Sequence, residues 1–201
     1  MISLVNEFSA LLDTCALVPI SLCDLLLKVA ENPAMYKPKW SPEILTELER
    51  TLQCPKFNLT PEKAAYRIAC MQSAFPEALV TGYDRLTASM PNHFKDRHVL
   101  AAAVYGKVDA IVTLNIRDFP INSLSNFGIE RLTPDEFLIH QWYLDPSLVR
   151  RRVVEQVIEC KKDMDGHLRL LGRMVPKFVD LVRTAEESNM GDPGGSGSSE
   201  G

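Results

Sequence analysis

The chain has 201 residues, 46% of them apolar and 24% charged, which is enough for one full core and excludes a disordered, collagenous or fibrous protein over most of its length. No apolar run approaches the roughly 20 residues a membrane span needs, and the opening "MISLVNEFSA" has no basic region followed by an apolar core, so a cytoplasmic protein without signal peptide or membrane segment is expected. The net charge of −4 is uneven: residues 1–145 carry 13 basic and 17 acidic side chains, residues 146–183 carry 9 and 5, and residues 184–201 carry 4 acids and no base.

In chain order, "FSALLD" reads as a short strand ending at Asp13. "LCDLLLKVAE" (22–31) has helical apolar spacing. Ser41-Pro42 opens a helix through "SPEILTELERTLQ", with serine as cap and proline at the first helical position. Thr60-Pro61 repeats the device. "DRHVLAAAVYG" is a helix stopped by Gly106, and the β-branched "DAIVTL" after it is a buried strand. "GIERL" is a further strand, and "TPDEFLIHQWYL" starts another capped helix. Strands alternate with helices, which predicts an α/β fold with a central parallel sheet covered on both faces.

After Asp145-Pro146 strand signals stop. Residues 147 to about 187 predict two helices broken at Asp165-Gly166, with Val153, Val154, Val157 and Ile158 packing on the body. The expected organisation is therefore a domain over 1–145, a helical extension over 146–187 and a disordered Gly/Ser-rich tail over 188–201. The basic residues of the extension can either track phosphates or be solvated on a packed helix. The five cysteines follow no CxxC or Cys/His spacing and are expected to be reduced and mostly buried.

The chemistry gathers on carboxylates. On a helical wheel at about 100° per residue, Asp96 falls near the centre of the apolar face of Val99, Leu100, Ala103 and Val104. It reads equally as a helix cap or as an acid aimed at the sheet edge. Asp13 ends the first strand, and Asp118 follows the strand "AIVTL" by four residues. Singly, each is a turn aspartate; together they sit where parallel sheets place ligands. Glu47 flanks the buried stripe of Ile44, Leu45, Leu48 and Leu52. Carboxylates crowded together raise one another's pKa unless a cation sits among them, which suggests Mg2+ or Mn2+. His93, His98, His140 and His167 show no pairing at metal spacing, and the wheel places His98 about 160° from Asp96, away from the acids. Cys15 reads as helix-start packing rather than a nucleophile.

The ordered segments "LLDTCAL", "WSPEILTELERTL", "DRHVLAAAV" and "IVTLNIRDFP" resemble the PIN domain, in particular the VapC-type toxin ribonucleases, over residues 8–140. The resemblance implies a PIN-like three-layer fold and puts the family's catalytic and metal-holding acids on Asp13, Glu47, Asp96 and Asp118. Asn115 matches a polar position beside the metal, and Thr14 and Thr113 are placed to orient the ligands. The implied activity is Mg2+- or Mn2+-dependent cleavage of single-stranded regions of structured RNA, tRNA or rRNA, by water activated at the metal. Lys95 and Arg97 are placed for phosphate contact. The implied partners are the RNA, a small cognate antitoxin and a second copy of the chain. Two departures stand out: Asn92 replaces an acid that close relatives often carry, and the helical extension is absent from minimal toxins. The alternative is a catalytically inactive PIN-like module that binds RNA or protein. A DxDxT phosphatase is disfavoured because Cys15 occupies the position of the second aspartate.

Overall fold

The computed structural model describes residues 8–190, the side chains of 188–190 excepted. Four strands, β1 (Ser9–Leu12), β2 (Lys37–Lys39), β3 (Ala110–Val112) and β4 (Glu130–Leu132), form one sheet in the order β2-β1-β3-β4. All three pairings are parallel. In the central strands every residue of Ser9–Leu12 and of Ala110–Val112 is buried. Successive side chains of a strand point to opposite faces, so both faces of the sheet are covered. The expected three-layer α/β fold is what forms.

The edges follow the same logic. The edge strand β2 is only "KPK", and its Pro38 would have broken a central ladder. The other edge strand, β4, is exposed at Glu130 and buried at Leu132. The sequence reading did not place β2, because a three-residue strand with two lysines and a proline carries no apolar alternation.

Between β1 and β2 run α1 (Thr14–Leu17) and α2 (Ile20–Ala30). Between β2 and β3 run α3 (Pro42–Gln53), α4 (Pro61–Ala74), α5 (Asp84–Thr87) and α6 (Arg97–Tyr105). The short α7 (Ile121–Leu124) leads to β4, and α8 (Pro134–Leu144) follows it. The caps explain the entries. Ser41 Oγ accepts from Ile44 N at 3.2 Å, and Thr133 and Glu136 complete a reciprocal capping box at the start of α8. The apolar stripe of α3 is buried at Ile44, Leu45, Leu48 and Leu52 as its spacing predicts.

The C-terminal region departs from the expected pair of helices. It forms three: α9 (Pro146–Glu159), α10 (Met164–Leu171) and α11 (Pro176–Met190). The breaks lie at residues 160–163 and 172–175, not at Asp165-Gly166. Lys161 adopts a left-handed backbone with φ 51°, and Asp163 caps α10 by accepting from Gly166 N at 2.7 Å. Gly166 is thus inside the helix that it was expected to end. Most of the tail expected from residue 188 lies outside the described residues.

The side chains of α9–α11 join the buried cluster that lies around the sheet, through Val149, Val153, Leu168, Leu171, Phe178 and Val182. Ile158, expected to pack, is 69% exposed. Polar contacts fasten α9 instead. Buried Arg152 donates to the carbonyls of Glu31 at 3.2 Å and Asn32 at 3.0 Å, at the C-terminal end of α2. Gln156 Nε2 reaches Ser21 O at 2.7 Å. Asp135 of α8 caps α11 by accepting from Phe178 N at 2.9 Å. Arg150 pairs with Glu186 at 2.5 Å and Arg169 with Asp165 at 2.6 Å. Much of the positive charge of this region is therefore matched by acids of the same fold. Among the described residues no helix is long and apolar enough to cross a membrane.

Candidate metal centre

The chain runs from β1 outward to β2, then returns to the opposite side of β1 to make β3. That reversal opens a crevice at the C-terminal ends of β1 and β3, where α/β sheets bind ligands. Leu12 pairs with Val112, so the next residues, Asp13 and Thr113, stand level. Asp13 is 4% exposed and Thr113 is fully buried. Thr113 Oγ1 donates to Asp13 Oδ2 at 2.6 Å, while Asn115 N donates to Thr113 Oγ1 at 2.9 Å. Thr14 N donates to Asp13 Oδ1 at 2.7 Å. Burial raises the Asp13 pKa, these bonds pull against that rise, and the charge of Glu47 adds to it.

Glu47 arrives from α3. Its Oε2 accepts from Thr14 Oγ1 at 2.9 Å, and its Oε1 lies 3.2 Å from His98 Nε2. Burial alone would raise its pKa, but the bonds from His98 and Thr14 outweigh that and hold it below the usual range. The histidine corrects the sequence reading, which turned His98 away from the acids. The wheel failed because Asp96 is not part of the α-helix: it closes a 3-10 helix (Phe94–Asp96) and has φ −107° and ψ 9°. Angles counted from Asp96 along α6 therefore have no meaning.

Asp96 also resolves the choice between cap and sheet-edge acid. It occupies the N-cap position of α6, yet its side chain makes no capping bond. Its carboxylate instead meets Asp118, the last residue of a second 3-10 helix (Ile116–Asp118). Ligand atoms of His93, Asp96 and Asp118 all lie within 4.8 Å of one another. Burial raises the Asp96 pKa first, then the charges of Asp118 and Asp13, against the opposing pull of His93. The four acids thus share one electrostatic neighbourhood: Glu47 acts on Asp13, and Asp13 and Asp118 act on Asp96.

The donors fit a divalent cation. In the close group of His93, Asp96 and Asp118 they are two carboxylates and one imidazole, near enough to surround a single ion, and the charges of Asp118 and Asp13 raise the Asp96 pKa; Asp13 and Glu47 are not in that close group.

The neighbours sort unevenly. Thr14 bonds Glu47 and Thr113 bonds Asp13, while Asn115 contributes its backbone N–H to Thr113. Lys95 is exposed, with its ammonium 6.0 Å from the ring centroid of Phe94. Arg97 is turned to its own loop, with Nε 3.4 Å from Asn92 O and Nη1 3.5 Å from Ala88 O. Asn92 is buried and donates Nδ2 to Asp96 O at 2.9 Å, so it shapes the turn.

Cys15 and His93 were missed. Cys15 Sγ donates to Asp13 Oδ2 at 3.1 Å and accepts from Leu114 N at 3.1 Å. Burial, then the charge of Asp13, pushes its thiol up to about 12, so it is protonated and not a nucleophile. Nor are the cysteines mostly buried: Cys70 and Cys160 are exposed. The missed signals were spacings of two and three residues, Asp13 to Cys15 and His93 to Asp96, which matter only in a bend or a 3-10 turn.

The chain is 38% identical over 109 residues to VapC50 of Mycobacterium tuberculosis, whose name carries an inferred ribonuclease activity. The match takes in 53% of this chain and spans 64% of that relative's length. No solved structure matches the chain. A sequence profile of the PIN domain matches residues 9–117, from the first strand to Arg117, one residue short of Asp118. The profile covers more than half of the chain, and the chain belongs to the PIN domain family.

Proposed function

We propose that this PIN domain is a metal-dependent endoribonuclease and the toxin of a toxin–antitoxin pair, acting in the cytoplasm on single-stranded regions of tRNA or rRNA. The observation that carries the reading is the meeting of Asp96 and Asp118 in the crevice beside buried Asp13, with neither aspartate of that meeting spent on a helix cap. Asp13, Glu47, Asp96 and Asp118 would hold Mg2+ or Mn2+. When bound, the ion supplies activation of water and charge neutralisation at the phosphodiester.

The chain's own residues set the rest. Thr113 and Thr14 N–H fix the rotamer of Asp13, and Thr14 Oγ1 with His98 fixes Glu47. Water adds to phosphorus, the P–O3′ bond breaks, and the products carry 5′-phosphate and 3′-hydroxyl ends. Lys95, exposed next to Asp96, is the better placed of the two basic candidates to meet the RNA backbone. The VapC-type relative supports a small antitoxin as protein partner, and a homodimer belongs to the same reading.

The test is incubation of purified, antitoxin-free protein with total tRNA and rRNA in Mg2+ or Mn2+, with end-mapping of fragments. Discrete cuts with 5′-phosphate ends, abolished by EDTA, support the reading. Intact RNA in both ions would contradict it.

A further inference from the structure

We propose that His93 is itself a ligand of the cation, and that its imidazole shifts this centre's preference from Mg2+ toward first-row transition ions. The proposal rests on the carboxylates holding a cation, as above, and adds a residue outside the four acids.

The geometry begins with the backbone. Asp96 N donates to His93 O at 3.0 Å, closing the 3-10 turn. Such a turn has three residues per revolution, so side chains at i and i+3 eclipse. His93 and Asp96 are that pair: His93 Nδ1 lies 3.5 Å from Asp96 Oδ2. Buried Asn92 pins the turn from inside through its bond to Asp96 O. The ring of Phe94 packs beside the imidazole, with centroids 4.6 Å apart.

The distances suit one ion. An octahedral cation about 2.1 Å from its ligands holds neighbours about 3 Å apart and opposite ligands about 4.2 Å apart. The His93, Asp96 and Asp118 atoms, within 4.8 Å of one another, need only a small inward movement to meet those spacings. The chemistry then differs from an all-acid site. Carboxylate and water suit Mg2+ and Mn2+ alike, whereas an added imidazole nitrogen contributes to the binding of first-row transition ions, least for Mn2+ among them, and little to that of Mg2+.

The test uses the full chain stripped of metal with EDTA and dialysed. Mn2+ and Mg2+ are titrated separately by calorimetry into the wild type, His93→Ala and Asp96→Asn. Pulsed EPR of the Mn2+-loaded proteins reads nitrogen coupling. Circular dichroism confirms folding, which His93→Ala should retain because the side chain is half-exposed. The expected result is nitrogen coupling in the wild type that His93→Ala abolishes. With it comes a Mn2+ Kd raised about tenfold or more, while the Mg2+ Kd moves by less than about twofold. Absence of nitrogen coupling in the wild type, or equal loss of both ions in His93→Ala, overturns the proposal. The Asp96→Asn arm separates the two levels. If it binds both ions like the wild type, the carboxylate centre is wrong and His93 falls with it. If it loses both while His93→Ala changes nothing, only the assignment of His93 falls.

Discussion

Thr113 Oγ1 donates a 2.6 Å hydrogen bond to Asp13 Oδ2 across two neighbouring parallel strands. Both residues immediately follow their strands, so the sheet's register sets the distance. Asp13 is buried, and burial alone disfavours its charged form. Thr113→Val keeps the volume but removes the donor. The expected cost is about 1–2 kcal/mol of stability and about 10–100-fold in RNA cleavage, whereas Thr113→Ser keeps most of both. Urea unfolding and cleavage rates on the same preparations check this; a Thr113→Val protein as active as the wild type would refute it.

Cys15 lies against the same carboxylate, and its thiol is pushed up to about 12 by burial and by Asp13. Iodoacetamide at pH 7.5 is therefore expected to label exposed Cys70 and Cys160 well before Cys15. Peptide mass spectrometry over a time course reads the order. Early labelling of Cys15 would mean a thiolate in the crevice and a different chemistry for it.

Arg152 fastens the C-terminal helices to the body through two α2-end carbonyls, and Glu155 of its own helix holds the guanidinium at 2.9 Å. Arg152→Ala removes a buried side chain and the donor that those carbonyls share, although Glu31 and Asn32 are themselves exposed and water can replace it there. A loss of about 1–2 kcal/mol is expected, read as a fall in the midpoint of urea unfolding. An unchanged midpoint would show that α9 is held by its apolar contacts alone.

His167 is fully buried, and its Nε2 meets Gln156 Oε1 at 2.8 Å. Gln156 Nε2 already donates to Ser21 O, so His167 is the donor here. Its Nδ1 has no partner. Burial, then Lys162, lowers its pKa from 6.5. The unfolded chain thus takes up the proton first as pH falls. The stability that neutral His167 contributes is complete above pH 6.5 and declines below it, by at most about 1.4 kcal/mol per pH unit until the folded value is reached. Unfolding of wild type and His167→Gln at pH 7.5 and 5.5 isolates the effect: the wild type should lose more. Equal losses would remove His167 from the account.

The fold was legible wherever an element carried its own period or cap. The Ser41-Pro42, Thr60-Pro61 and Thr133-Pro134 entries fall where the sequence marks them. The elements that escaped lack such a signal. The strand β2 is held by its neighbour β1 rather than by its own composition, and α10 begins at a cap, Asp163, that precedes the apparent Asp165-Gly166 break. The acids at strand ends were legible because α/β sheets concentrate function there. His98 and His93 were not, because their contacts depend on a 3-10 turn at residues 94–96 that a regular helical wheel cannot represent. The basic C-terminal stretch read in sequence either as tracking phosphates or as solvated on a packed helix; the pairing of Arg150, Arg152 and Arg169 with acids of the chain was not legible there.

The central claim is that Asp96 and Asp118 hold a cation that RNA cleavage requires. The most direct measurement compares cleavage of tRNA and rRNA by the wild type, Asp96→Asn and Asp118→Asn at equal concentration in Mn2+, each with and without EDTA. The account predicts cleavage by the wild type alone and only without chelator, with both variants slowed by at least about a hundredfold. Cleavage by either variant at the wild-type rate, or by the wild type in EDTA, would contradict it.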